Sequence, residues 1–203
     1  VGSLDITARN FIPDTLVTPV TPGTINAGTI DLASQQDVVI QGNLAATANI
    51  VTIVPGAITI GNAAATGGIA LIGAGLVQTG TLTAGAGVYV ESTTNSVAIG
   101  GAITSNGTVE LVSGSGNISY TSVTAASDVD FDATGNVTGG NVTSGDSVSA
   151  LAGGNLAIGN VSAGIVNPST DPTATYSIGL AANGNVAFGT LQAANNIGVG
   201  ANT

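Results

Sequence analysis

Val129-Asp130-Phe131-Asp132-Ala133-Thr134-Gly135-Asn136-Val137-Thr138-Gly139-Gly140-Asn141-Val142-Thr143-Ser144-Gly145 spans most of one structural unit. Val129 and Phe131 flank Asp130, a period of two that belongs to a strand with one buried face. Gly135-Asn136 and Gly140-Asn141 then interrupt the apolar pattern, and such residues break helices and favour turns. The stretch reads as three short strands, headed by Val129, Val137 and Val142 and joined by tight corners.

Working outward, each of those three positions heads a column. The first runs Val88, Val109, Val129, Val148, Ile178; the second Val97, Ile118, Val137, Leu156, Val186; the third Leu82, Ile103, Val123, Val142, Val161, Leu191. Steps within each column are 19 to 21 residues, except the last, which is 30. Three columns keep one step because each repeat is a single supersecondary unit stacked on its neighbours. The corners repeat too: Gly116-Asn117, Gly135-Asn136 and Gly154-Asn155 lie 19 residues apart, and Gly184-Asn185 follows the long step. Gly and Asn most readily adopt positive φ, the conformation expected of a sharp corner. Stacked Asn side chains are also expected to hydrogen-bond along the stack.

The expected fold is therefore all-β: a single-stranded parallel β-helix, or β-solenoid, of roughly ten coils with about 20 residues and three short strands per coil. It forms one domain over residues 1–203, with a rod length near 50 Å at about 4.8 Å per coil. Two Pro-containing stretches break the rhythm and read as loop excursions. One is residues 10–23, with Pro13, Pro19 and Pro22; the other is 165–175, with Pro168 and Pro172. Pro cannot donate to a central ladder. The chain starts at Val1 without a signal peptide, so a processed product or a fragment of a longer shaft is expected.

Composition limits the chemistry. Only 6% of the residues are charged, against about a quarter in typical domains. There is one basic residue, Arg9, against 11 acids, with no His and no Cys. A formal charge of −10 argues against nucleic acid or anionic lipid as a partner. No apolar run approaches the 18 or so residues of a membrane-spanning helix, so no membrane insertion is expected. Without His, Cys or Lys, the common nucleophile, base and metal arrangements are missing.

The stretch quoted above resembles, in unit length and texture, the repeats of filamentous haemagglutinin-type adhesins, the large exoproteins of bacterial two-partner secretion. The resemblance covers residues 24 to 203. It implies a right-handed β-helix shaft, export through an outer-membrane pore, and a secreted or bacterial cell-surface location. The partners it implies are a host-cell or matrix receptor, or other cells. No Arg-Gly-Asp triplet occurs.

Candidate sites are few. Asp128, Asp130 and Asp132 share one face and open like a calcium loop, but Ala133 holds the position that needs Gly, and Gly139 the place of the closing Glu. On an extended strand these carboxylates diverge, so no metal is assigned and exposed strand acids are expected. Glu110 and Asp130 occupy equivalent positions of successive repeats. Two carboxylates suffice for glycoside hydrolysis, yet a solvated face that keeps the rod soluble is the preferred reading. Thr83, Thr104, Thr124, Thr143 and Ser162 form an outward hydroxyl ladder. Within the second excursion, Asn167, Asp171 and Thr173 are the candidate interaction residues, because insertions in repeat proteins map to loops that often bind. The pairs Gly116-Asn117, Gly135-Asn136, Gly154-Asn155 and Gly184-Asn185 are assigned as structural turns. No catalytic residue and no cofactor is expected. The functional expectation is a non-enzymatic structural or adhesive segment, with end-to-end stacking into a filament as the alternative.

Overall fold

A computed structural model describes residues 23–165 and 175–202, and the backbone of residues 4–8. Among these residues there is no helix; parallel strands stack coil upon coil into a β-solenoid of about nine turns. The first face carries one strand per coil, ten in all, from Leu4–Ala8 to Ile197–Ala201. The second and third faces belong to one 15-stranded sheet. Their strands are mostly three or four residues long, such as Val137–Gly139 on the second and Val142–Ser144 on the third. In two coils the pair merges into one bent strand, Val97–Ser105 and Ile118–Ala125. The register shifts between Ile99 and Ala102, where Gly100 and Gly101 sit.

Each sequence column is a ladder of directly paired residues. Val88 pairs with Val109, Val109 with Val129, Val129 with Val148, and Val148 with Ile178. The same ladder continues back through Ile69, Ile50 and Ile30, and forward to Ile197. The alternation holds as well: Val129, Phe131 and Ala133 are buried while Asp130 and Asp132 face outward. A fully buried Val, Leu or Ile contributes about 1.5–3 kcal/mol relative to exposure, and every internal coil supplies several.

The core makes room for its aromatic pair with small residues on one side. Tyr120 and Phe131, in consecutive strands, stack with ring centroids 4.7 Å apart. Small residues stand at the positions paired with them one repeat on: Gly139 against Tyr120 and Ala150 against Phe131. A Cβ on Gly139 would run into the Tyr120 ring. Small residues beside the aromatic pair keep the interior at its usual packing density.

The corners depart from expectation. Among the described residues only Gly164 (φ 65°) and Tyr176 (φ 49°) have positive φ. The glycines of the Gly-Asn pairs therefore do not supply left-handed backbone. They are required because the coils approach so closely. A Cβ on Gly135 would lie 2.5 Å from Asn117 Oδ1 and 2.6 Å from the Gly116 carbonyl; on Gly154 it would lie 2.5 Å from Asn136 Oδ1. Gly116 and Gly184 meet the same obstacle, from Ser96 Oγ and Asn155 Oδ1 respectively.

Of the two excursions, residues 9–22 and 166–174 lie outside the described residues. The candidate interaction residues Asn167, Asp171 and Thr173 fall there. The roots of the second excursion are visible. Gly164 and Tyr176 stand on either side, and the Tyr176 ring occupies the space a side chain at 164 would need.

Candidate functional site

The Asn residues of the corners form a ladder of their own. The Asn136 N–H donates to Asn117 Oδ1 at 2.8 Å, Asn155 N–H to Asn136 Oδ1 at 2.7 Å, and Asn185 N–H to Asn155 Oδ1 at 2.8 Å. The main link is thus side chain to backbone between coils. Amide-to-amide bonds occur as well, from Asn136 Nδ2 to Asn117 Oδ1 at 3.2 Å and from Asn62 Nδ2 to Asn43 Oδ1 at 2.9 Å. A parallel ladder enters the third face: Asn160 N–H donates to Asn141 Oδ1 at 3.0 Å and Thr190 N–H to Asn160 Oδ1 at 2.8 Å. Each donor N–H stands immediately before its strand, where backbone groups leave the ladder and need partners, and the acceptor amide is one coil back.

Buried serines complete the corners. Ser92 Oγ donates to the Gly75 carbonyl at 2.7 Å and accepts from Asn95 N–H at 3.1 Å. Ser113 repeats this with the Asn95 carbonyl and the Gly116 N–H. Ser105 and Ser144 do the same at the opposite corner. Each hydroxyl ties its own turn to the turn of the preceding coil. These residues were not anticipated from sequence, although their signal exists: Ser recurs at the last inward position of a strand.

The acids of the first face line up across coils. Tyr89 pairs with Glu110, Glu110 with Asp130, and Val112 with Asp132. The Tyr89 hydroxyl donates to Glu91 at 2.6 Å. That bond, partial burial, and the negative charges of Glu91 and Glu110 push the Tyr89 phenol up to about 12. Burial first, then the charges of Asp128 and Glu110, hold the Asp130 carboxyl above the usual range. Asp128 is not part of the outward stripe; it sits at the corner, where its Oδ1 accepts from Ser147 N–H at 3.1 Å. Among the described residues no cluster of acids could hold a metal ion. Asp130 and Asp132 face outward from one strand, and Asp128 stands just before it.

The second excursion has an anchor that sequence reading missed. Asp146 is buried (8% exposed). Its Oδ1 accepts from Thr175 N–H at 2.8 Å, Tyr176 N–H at 3.2 Å and Ser147 Oγ at 3.1 Å. Ser147 Oγ and Thr175 Oγ1 lie 2.6 Å apart. One carboxylate thus returns the chain to the solenoid where it re-enters.

Two surface features remain. The outward column Thr83, Thr104, Thr124, Thr143, Ser162, Gln192 is in direct register on the third face. At the last described coil, Ile197 and Val199 are 49% and 47% exposed, although their ladder partners Ile178 and Leu180 are each 2% exposed. No described helix is long and apolar enough to cross a membrane.

No family model, no curated protein and no solved structure matches the chain.

Proposed function

We propose that this chain is a non-enzymatic, rigid spacer of a bacterial cell-surface or secreted protein, built to present binding regions at a distance. The observation that carries this reading is the continuity of the ladders. The first-face register runs without a slip from Val88 to Ile197, and the corner amides and serines add cross-links between coils outside the strands. Bending such a rod would break backbone bonds on one face and core packing on another. The outward surface of the first face carries acids without bases beside them, which favours a solvated rod over a compact assembly. The resemblance to filamentous haemagglutinin-type repeats supports the same reading and supplies the cell-surface context.

A second reading is end-to-end stacking into a filament through open strand edges. Electron microscopy across a concentration series separates the two. Discrete short rods at every concentration support the spacer. Fibres of constant width that lengthen with concentration, and that vanish in Val199→Lys, overturn it in favour of stacking. Labels placed on the first and last coils give the direct test of stiffness by single-molecule energy transfer. A spacer shows one narrow distance distribution, and a broad one removes the proposed role.

A further inference from the structure

Five Asn-x-Ser/Thr triplets occur in the chain, headed by Asn106, Asn117, Asn136, Asn141 and Asn160. This is the acceptor pattern for N-linked sugar, and it belongs on an exposed loop. The fold gives four of the five asparagines another task. Asn117, Asn136, Asn141 and Asn160 each accept, through Oδ1, a backbone N–H of the following coil. In each of these triplets the second residue is buried and opens a strand: Ile118, Val137, Val142 and Val161. Those strands are paired on both sides, so a transferase cannot draw the segment out without opening two ladders. Ser162 Oγ, the hydroxyl of the last triplet, is also enclosed.

Asn106 stands apart. Asn106-Gly107-Thr108 lies wholly between strands, after Ser105 and before Val109. Asn106 and Thr108 are exposed, and neither side chain makes a hydrogen bond among the described residues. Ser105 pairs with Ala84 and Ala125, so the neighbours of Asn106 along the stack are Gly85 and Ala126, both small. The amide therefore has no structural task, and the corner around it has room for a bulky substituent.

We propose that Asn106 is the one acceptor of N-linked glycosylation that the folded rod presents, taking its sugar from a nucleotide-activated donor. Asn106 Nδ2 attacks the anomeric carbon of the sugar. A carbon–nitrogen bond forms there as the bond to the diphosphate oxygen of the donor breaks. The nucleoside diphosphate leaves with the electron pair, and Nδ2 gives up one proton to the transferase. The linked amide stays uncharged, and no bond between coils is lost, because none runs through this side chain. The same transfer at Asn136 would load an amide that donates from Nδ2 to Asn117 Oδ1 and accepts from Asn155 N–H, with Gly154 packed against it.

The test is to incubate the folded whole chain with UDP-glucose and a soluble N-glycosyltransferase specific for Asn-x-Ser/Thr, then to read intact mass and a peptide map. Free synthetic peptides of the five triplets, given to the same enzyme, report its preference for sequence alone. The expected result is one hexose per chain, at Asn106, although the ladder triplets are accepted as free peptides. Asn106→Gln should melt with the parent and take up no sugar, which separates loss of the acceptor from loss of the fold. The proposal is overturned if the folded chain stays bare, if the free Asn106 peptide is refused, or if a ladder asparagine of the folded chain is loaded as readily. Refusal of the free ladder peptides overturns it too, since sequence and not the fold would then select. The spacer reading is independent of this site, since particle shape and end-to-end distance test it without any sugar.

Discussion

Asn136 is tied in both directions along the stack. Its backbone N–H reaches Asn117 Oδ1, and its own Oδ1 receives Asn155 N–H. A Cβ on Gly154 would fall 2.5 Å from that same Oδ1. Gly154→Ala must therefore push the Asn136 amide aside and release the Asn155 N–H, at a cost of about 1–3 kcal/mol. Asn136→Ala removes the same bond by another route. The two changes should be strongly non-additive in urea unfolding, because the second finds the bond already gone; additive costs would show that the glycine serves backbone freedom after all. Asp130 gives a residue-scale prediction of pH dependence. Its folded pKa is raised by burial and by Asp128 and Glu110, so the folded state binds this proton more readily than the unfolded chain. The favourable contribution is present below the unfolded value, about 3.9, and is lost as pH rises through the folded one. Asp130→Asn should accordingly raise the melting temperature at pH 7 and leave it nearly unchanged at pH 3. The side chain is largely exposed, so screening keeps the gain small. An equal shift at both pH values would place the effect in packing rather than charge.

At the scale of the element, the step from Val161 to Leu191 is 30 residues where the step before it is 19. Gly164 leaves the solenoid by donating to the Ser144 carbonyl, and Tyr176 re-enters by accepting from Asn195 N–H. Gly164 and Tyr176 both have positive φ. Deleting residues 165–174 would shorten the 30-residue step between Val161 and Leu191 to 20 residues, the step already found between Ile103 and Val123. It would also keep Thr175 for its bond to Asp146. The deletion should retain the strand signature in circular dichroism and unfold within about 1 kcal/mol of the parent; loss of cooperative unfolding would mean the loop is part of the core. Sequence made the excursion visible as a broken period, but not Asp146, because a lone Asp between Gly145 and Ser147 looks like any solvated turn. The columns were legible for the opposite reason: Val, Ile and Leu at a constant step have only one use, the inside of a stack. Gly-Asn corners were legible in place and misread in cause, since positive φ and close approach of a neighbouring coil both select glycine. The inward serines stayed hidden because Ser113 on the inside and Ser119 on the outside differ only in strand phase.

The whole molecule behaves as a one-dimensional stack, in which each coil touches only the coil before and the coil after. An internal coil is covered on both sides and the last described coil on one. The burial follows: Val129 and Phe131 are 0% and 2% exposed, while Ile197 and Val199 are nearly half exposed in equivalent columns. The aromatic pair Tyr120–Phe131, with Gly139 and Ala150 packed against it, concentrates buried area near the middle of the rod. Opening the last coil costs one interface, whereas opening a middle coil costs two, so local unfolding should start at the exposed end and run inward. Hydrogen exchange should grade along the first face. Amides of Ile197–Ala201 should exchange fastest, Ile178–Ala182 more slowly, and Val109–Ser113 and Val129–Ala133 slowest. Association at the exposed end would reverse the outer part of that gradient, because a covering coil turns one interface into two. Exchange measured at low and high protein concentration therefore reports stiffness and stacking together. Uniform protection of all these strands at low concentration would show that the rod opens only as a unit, and that nearest-neighbour stacking does not set its stability.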